Sequence, residues 1–255
     1  MVESYQFLGV WVNALTIEDL NELVRQSVQR GERWLIANHN MNSLRLFHKD
    51  AKMRDFYARS EYIHVDGMPL IWLGRLLGYP LRREHRVTYA DWIDPLMADA
   101  AAENWRVFYL GSKPGVADRG ARILQQRYPG LEITTADGYF DARRDSEDNQ
   151  VLLEKINAFQ PQVLMVGMGM PRQEHWVLDN MDSIRVNAIL TAGAAIDYVA
   201  GAVPTPPRWA GKVGLEWLFR LVSEPGRLWR RYLVEPWFVL WLFIVELWHR
   251  RRKTD

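Results

Sequence analysis

The chain has 255 residues, 48% of them hydrophobic, enough to bury a substantial core as one large domain or as a domain with an appendage. It contains no cysteine, which excludes a disulfide framework, a thiolate metal site and a thiol nucleophile, and suits a reducing compartment. The net charge of +1 hides an asymmetry: residues 206–255 hold ten Lys or Arg against five Asp or Glu, a local +5 that leaves −4 on residues 1–205.

The first stretch, "MVESYQFLGVWVNALTIEDLNELV", starts acidic and polar and lacks the basic n-region and long apolar core of a secretory signal, so a cytoplasmic location is expected. Further along, apolar runs typical of buried strands alternate with amphipathic stretches. "RWLIANHN" (33–40), "YIHVDG" (62–67), "RVFYLGS" (106–112), "LEITTADGYF" (131–140), "QVLMVGMG" (162–169) and "NAILTAGAA" (187–195) read as strands running into loops. "PGVADRGARILQQRYPG" and "DNQVLLEKINAFQP" have helical spacing with Gly or Pro as stops. This alternation predicts an α/β fold with a largely parallel sheet, in which ligands gather at the carboxyl ends of the strands. No internal repeat or low-complexity linker interrupts it.

The strand ends carry the polar residues. "ANHN" offers Asn38, His39 and Asn40 as donors and acceptors for sugar hydroxyls, with His39 better suited to structural hydrogen bonding than to catalysis. "HVDGMP" sets Asp66 beside Gly67, where a carboxylate can act as general base on an attacking hydroxyl, although an Asp-Gly pair also suits a plain turn. "LGSKPGVA" places Gly111, Ser112, Lys113 and Gly115 between a strand and a helix, a setting for phosphate or for a turn with a solvated lysine. It is neither a dinucleotide fingerprint nor a Walker loop. "VGMGMPRQEHW" follows two glycines and a proline with Arg172, Gln173, Glu174 and His175; Arg172 and Glu174 alone also fit a surface ion pair. The histidines lack metal-ligand spacing and no Asp-x-Asp pair occurs, so a metal-independent reaction without a cofactor is expected.

Residues 206–255 also hold six of the twelve tryptophans. Tryptophan with Lys and Arg suits a surface of anionic lipid. The apolar run "YLVEPWFVLWLFIVELW" before "HRRRK" argues against nucleic acid as the partner of this basic segment. Its uninterrupted core, Trp237 to Val245, is nine residues long against the roughly 20 needed to span a bilayer, so it is expected to lie on or dip into the membrane. Packing into the domain or against a neighbouring subunit is the other reading, and it leaves a homo-oligomer open.

The blocks "DGMPLIWLGRLLG", "RVTYADW", "VFYLGSKPGVADRGARILQQRYPGLEITTADGYF", "VGMGMPRQEHWV", "AGAAIDYVAGAVPTPPRW" and "GLEWLFRLVSEPGRLWRRYL" occur in the order and spacing of the WecG/TagA/CpsF glycosyltransferases. The resemblance runs from about residue 35 to 233. It implies a Rossmann-like domain (1–205) and a helical, membrane-associating C-terminal appendage (206–255). It also implies transfer from a UDP-sugar to a sugar on a polyprenyl diphosphate, at the cytoplasmic face of a bacterial inner membrane, in the synthesis of surface or exopolysaccharide. By position, Asp66 matches the family's general base, whose in-line chemistry inverts the anomeric centre, and Gln173, with Glu174 beside it, matches a sugar-nucleotide contact. Arg220, Arg227 and Arg230 match arginines that hold the lipid diphosphate, a task suited to planar guanidinium forks. One departure stands out: Asn38 occupies the position of a common family threonine, two residues before the retained Asn40. That exchange admits a glucose donor and a β-1,4-glucosyltransferase, with an N-acetylmannosamine or N-acetylmannosaminuronate donor as the alternative.

Two other classes compete. A noncatalytic nucleotide-sugar-binding protein would keep its role after Asp66→Asn. A nicotinamide-dependent oxidoreductase is disfavoured because the G-x-G-x-x-G fingerprint is missing.

Overall fold

The computed structural model describes residues 2–204, 216–223 and 225–252. In chain order these form β1 (Ser4–Phe7), β2 (Val10–Asn13), α1 (Ile17–Arg30), β3 (Trp34–His39), α2 (Met41–Lys49), α3 (Ala51–Ala58), β4 (Tyr62–Val65), α4 (Met68–Leu76), a 3-10 turn (Arg83–His85), α5 (Tyr89–Ala102), β5 (Arg106–Gly111) and α6 (Val116–Arg127). There follow β6 (Glu132–Ala136), α7 (Glu147–Phe159), β7 (Val163–Gly167), α8 (Arg172–Asn180), β8 (Ala188–Thr191), α9 (Ala195–Val199), α10 (Glu216–Ser223), α11 (Pro225–Trp229), a π-helical turn (Arg230–Val234) and α12 (Glu235–Arg252).

The six apolar runs become one six-stranded parallel sheet in the order β4-β3-β8-β7-β5-β6. Every residue of β3, β7 and β8 is buried, which explains why these strands read as continuous apolar runs: helices cover both faces. One face packs Ile36, Val107, Met165 and Leu190 against α1, α5 and α6. The other packs Ala37, Leu110, Val166 and Ile189 against α3, α7 and α8. All six strands point the same way, so their polar carboxyl ends share one edge, as the alternation predicts.

The N-terminal hairpin β1–β2 escapes the pattern reading because its strands mix exposed and buried positions and form no continuous apolar run. Its turn residues Leu8 and Gly9 both have positive φ, as the tight turns that match strand twist require. The hairpin is fastened to the sheet edge by Asn13, whose Oδ1 accepts from the Ile63 amide at 2.6 Å.

The C-terminal helix packs on this hairpin. Val239 is buried in a cluster with Phe7, Leu8, Val10, Leu44 and Leu77, and Phe238, Leu242, Phe243 and Leu247 flank it. Glu246 accepts from the Leu8 amide, and Arg250 donates to the Leu77 carbonyl at 2.7 Å and the Tyr79 hydroxyl at 2.6 Å. The opposite stripe, Trp237, Leu240, Trp241, Ile244 and Trp248, is exposed. The helix therefore packs into the domain on one side and leaves aromatic side chains exposed on the other. No helix among the described residues is long and apolar enough to cross a membrane.

Candidate active site

At the ends of β3 and β4 the backbone sets a carboxylate on a polar rim. Asp66 directly follows β4, and its amide donates to the His39 carbonyl at 2.8 Å. Gly67, with φ of +113°, then turns the chain into α4. Asn40 performs two jobs. Its Oδ1 caps α2 by accepting from the amides of Asn42 and Ser43, both at 3.0 Å, while its Nδ2 donates to Asp66 Oδ2 at 3.3 Å. The helix cap thus fixes the rotamer that orients the carboxylate.

Asn38 is 3% exposed and turns across the sheet, donating to the Thr191 carbonyl at 3.0 Å. His39 leaves the sheet on the other face, with its Nδ1 3.0 Å from Ser43 Oγ and its ring stacked on Tyr57 at 3.9 Å. Burial pushes its pKa down to about 3, so it is neutral, in keeping with a structural hydrogen bonder.

The facing wall comes from the turn between β7 and α8, which contains a cis Met170–Pro171 bond. Gln173 Oε1 accepts from the Gly169 amide at 3.1 Å, and its Nε2 donates to Glu174 Oε1 at 2.7 Å. Gln173 and Glu174 are 1% and 0% exposed, which rules out a surface ion pair for Glu174. Arg172 instead braces the loop after β6, donating to the Phe140 carbonyl at 2.8 Å and lying over the Phe140 ring. The two walls converge. Asn42 Nδ2 reaches Met170 Sδ at 3.9 Å, and the charges of both Asp66 and Glu174 raise the pKa of buried Tyr57, after burial itself.

The end of β5 forms the floor beside β7. Gly111 has φ of +151°, and a Cβ there would collide with the Gly167 backbone. Gly167 in turn makes room for Tyr109, whose hydroxyl donates to the Gly193 carbonyl at 3.0 Å. Ser112, also at positive φ, donates to Asp197 Oδ1 at 2.7 Å. Gly115 caps α6 without a side-chain partner, so amides at that helix start face outward, and Lys113 beside them is exposed.

The family model for the glycosyl transferase WecG/TagA/CpsF family matches residues 5–253. The chain belongs to this family. Relatives from Staphylococcus aureus strains MW2, NCTC 8325 / PS 47 and COL are each named N-acetylglucosaminyldiphosphoundecaprenol N-acetyl-beta-D-mannosaminyltransferase. Each is 27% identical to the chain over 172 residues, which is 68% of this chain and 65% of the relative. The chain therefore spans just under two thirds of the length of these relatives.

Within this WecG/TagA/CpsF architecture, the carboxyl edge of the sheet gathers Asn40, Asp66, Gly111, Gln173 and Glu174 onto one rim. Arg220 and Arg227 lie on α10 and α11, but their side chains fall outside the described residues; Arg230 opens the π-helical turn and is exposed. The residues of "RVTYADW" carry no individual signal in the sequence. Val87 donates to the Val65 carbonyl at 2.9 Å, which ties this segment beside Asp66, and Arg86, with only 12% of its side chain exposed, pairs with Asp91 at 2.8 Å. A mostly buried arginine bridged to Val65, the last residue of β4, is a pointer that sequence alone does not supply.

Proposed function

We propose that this chain transfers an N-acetylhexosamine, of the N-acetylmannosamine type, from a UDP-sugar to N-acetylglucosamine carried on a polyprenyl diphosphate. The observation that carries the reading is the Asn40-held carboxylate of Asp66, set across the rim from the buried Gln173–Glu174 pair in a WecG/TagA/CpsF chain. Asp66 accepts the proton of the acceptor hydroxyl as its oxygen bonds to the anomeric carbon. The bond from that carbon to the UDP oxygen breaks, and UDP leaves with the electron pair. Attack opposite the leaving group inverts the centre, in keeping with the "beta" in the names of the relatives. The reaction as proposed needs no metal or other cofactor.

The donor is the point on which two readings differ. The names of the relatives favour N-acetylmannosamine, whereas Asn38, in place of the common threonine, keeps glucose as the second reading. A noncatalytic nucleotide-sugar binder is the third. Transfer from radiolabelled UDP-N-acetylmannosamine and UDP-glucose to polyprenyl diphosphate N-acetylglucosamine or glucose, with and without EDTA, separates them. Transfer that survives EDTA and falls by at least about a hundredfold in Asp66→Asn supports the proposal. Transfer undiminished in Asp66→Asn refutes the role of Asp66.

We further propose that residues 206–255 form an appendage that sits on the cytoplasmic face of a bacterial inner membrane, where Arg220, Arg227 and Arg230 receive the lipid diphosphate. The support is the exposed stripe of α12 and the basic end beyond it, where Arg251 and Arg252 are exposed and Arg252 lies over Trp248 at 3.5 Å. Deleting the segment would uncover Leu8, Leu44 and Leu77, so surface changes are the cleaner test. Trp237, Trp241 and Trp248 changed together to Ser should abolish flotation with phosphatidylglycerol vesicles without lowering the unfolding temperature; unchanged flotation refutes the docking surface.

A further inference from the structure

Helix α4 departs from the pattern of a surface helix. Its inner face buries Met68, Leu70, Ile71 and, just past its end, Leu77 in the cluster that also takes Val239 of α12. A helix packed in this way ordinarily turns charged and polar residues outward. Here the outer face carries Trp72 and Leu76, spaced to lie side by side and 43% and 69% exposed, with exposed Arg75 next to them.

The neighbourhood indicates what covers this face. The last turn of α12 lies against the end of α4, where Arg250 donates to the Leu77 carbonyl and the Tyr79 hydroxyl. Leu76 adjoins that junction from one helix and exposed Trp248 from the other, so the apolar stripe of α12 continues onto α4. The surface around them is basic. Arg75, Arg83, Arg251 and Arg252 are exposed, whereas the acids Glu84 and Glu246 are paired with Arg82 and Arg250, each at 2.8 Å. Exposed tryptophan and leucine among guanidinium groups fit the headgroup level of an anionic bilayer. A second copy of this chain docked face to face would instead bring like charges together.

We propose that α4 is a second membrane-contact element, which inserts Trp72 and Leu76 into the interfacial layer of an anionic bilayer beside α12. This inference rests on the membrane reading of α12 above. Its consequence is positional. Met68, the first residue of α4, is separated from Asp66 only by Gly67, so a helix seated at headgroup level holds the carboxylate where a sugar on a lipid diphosphate emerges from the bilayer.

The lack of cysteine in the chain permits a direct test. Leu76→Cys, Trp241→Cys and Gln126→Cys in the full-length protein each create one labelling site, on α4, on α12 and on the exposed side of α6. Each is labelled with a nitrobenzoxadiazole fluorophore and mixed with vesicles of phosphatidylglycerol and phosphatidylcholine, with or without nitroxide-bearing lipid. The expected result is a blue shift and lipid quenching at positions 76 and 241 and neither at 126. Trp72→Ser combined with Leu76→Ser should lower vesicle partitioning about tenfold at an unchanged unfolding temperature. Quenching at 241 without quenching at 76 overturns the role of α4 and leaves that of α12. Quenching at neither overturns the membrane reading itself. A blue shift at 76 before vesicles are added shows a second copy on this face, and quenching at 126 as well shows indiscriminate adsorption; either overturns the proposal.

Discussion

Asn40 couples a helix cap to the proposed base, and two substitutions separate those jobs. In Asn40→Ala the amides of Asn42 and Ser43 lose their acceptor, and Asp66 loses one donor. Loss of such a cap costs about 1–2 kcal/mol, which in a chain of this size lowers the unfolding temperature by about 2–4 °C per kcal/mol. In Asn40→Asp the cap survives, since aspartate caps as well as asparagine, but a carboxylate oxygen replaces the N–H that faces Asp66. Hydrogen bonds to charged groups contribute about 1.5–3 kcal/mol. At 3.3 Å the lower end applies, so transfer should fall about tenfold from lost orientation alone. The added negative charge also favours protonation of the base, so the loss of rate toward acid should begin at higher pH than in wild type. Thermal unfolding and pH profiles of kcat/KM for both variants are the assay. An Asn40→Asp enzyme of wild-type stability with wild-type rate and pH profile would refute the claim that this contact orients Asp66.

His39 and His64 are fully buried, and burial holds each down to about 3 from 6.5. Between those values the unfolded chain binds the extra protons, so stability is complete above about pH 6.5 and falls with acidification by about 1.4 kcal/mol per pH unit for each histidine. Denaturant titrations between pH 7 and pH 5 should show this slope, and His64→Leu should remove about half of it. Gly111→Ala should cost more than about 2 kcal/mol, because the new Cβ meets the Gly167 backbone at a φ that only glycine adopts easily; a thermal melt within a degree of wild type would contradict the close approach of β5 and β7. Glu246→Ala leaves the Leu8 amide and part of the Arg250 guanidinium without an acceptor, and about 2 kcal/mol of lost anchoring should appear as faster proteolysis within α12 while the sheet stays intact.

Much of this molecule is legible in its sequence because the signals are local. The six strand runs, the helices after "LGSKP" and before "QPQ" and the gathering of polar residues at strand ends all follow from periodicity and from what glycine, proline and helix caps do to backbone. The membership in a glycosyltransferase family is equally a property of ordered blocks, and the resemblance proposes Asp66 and Gln173, with Glu174 beside it, as site residues. The strands of the β1–β2 hairpin mix exposed and buried positions and form no continuous apolar run, so the hairpin is invisible until it packs under α12.

The partners of each side chain were decided only by the tertiary structure. No spacing rule predicts that Asn40 reaches across 26 residues to Asp66, that Arg172 turns away from Glu174 to hold Phe140, or that the buried hydroxyl of Tyr89 finds no partner among the described residues. The C-terminal helix is the clearest case. Its composition says that it is apolar all round, but only docking against Phe7, Leu8 and Leu44 determines which stripe is spent on the core and which remains exposed. Local sequence sets what a segment can become; which face is left exposed depends on the surfaces that fold against it.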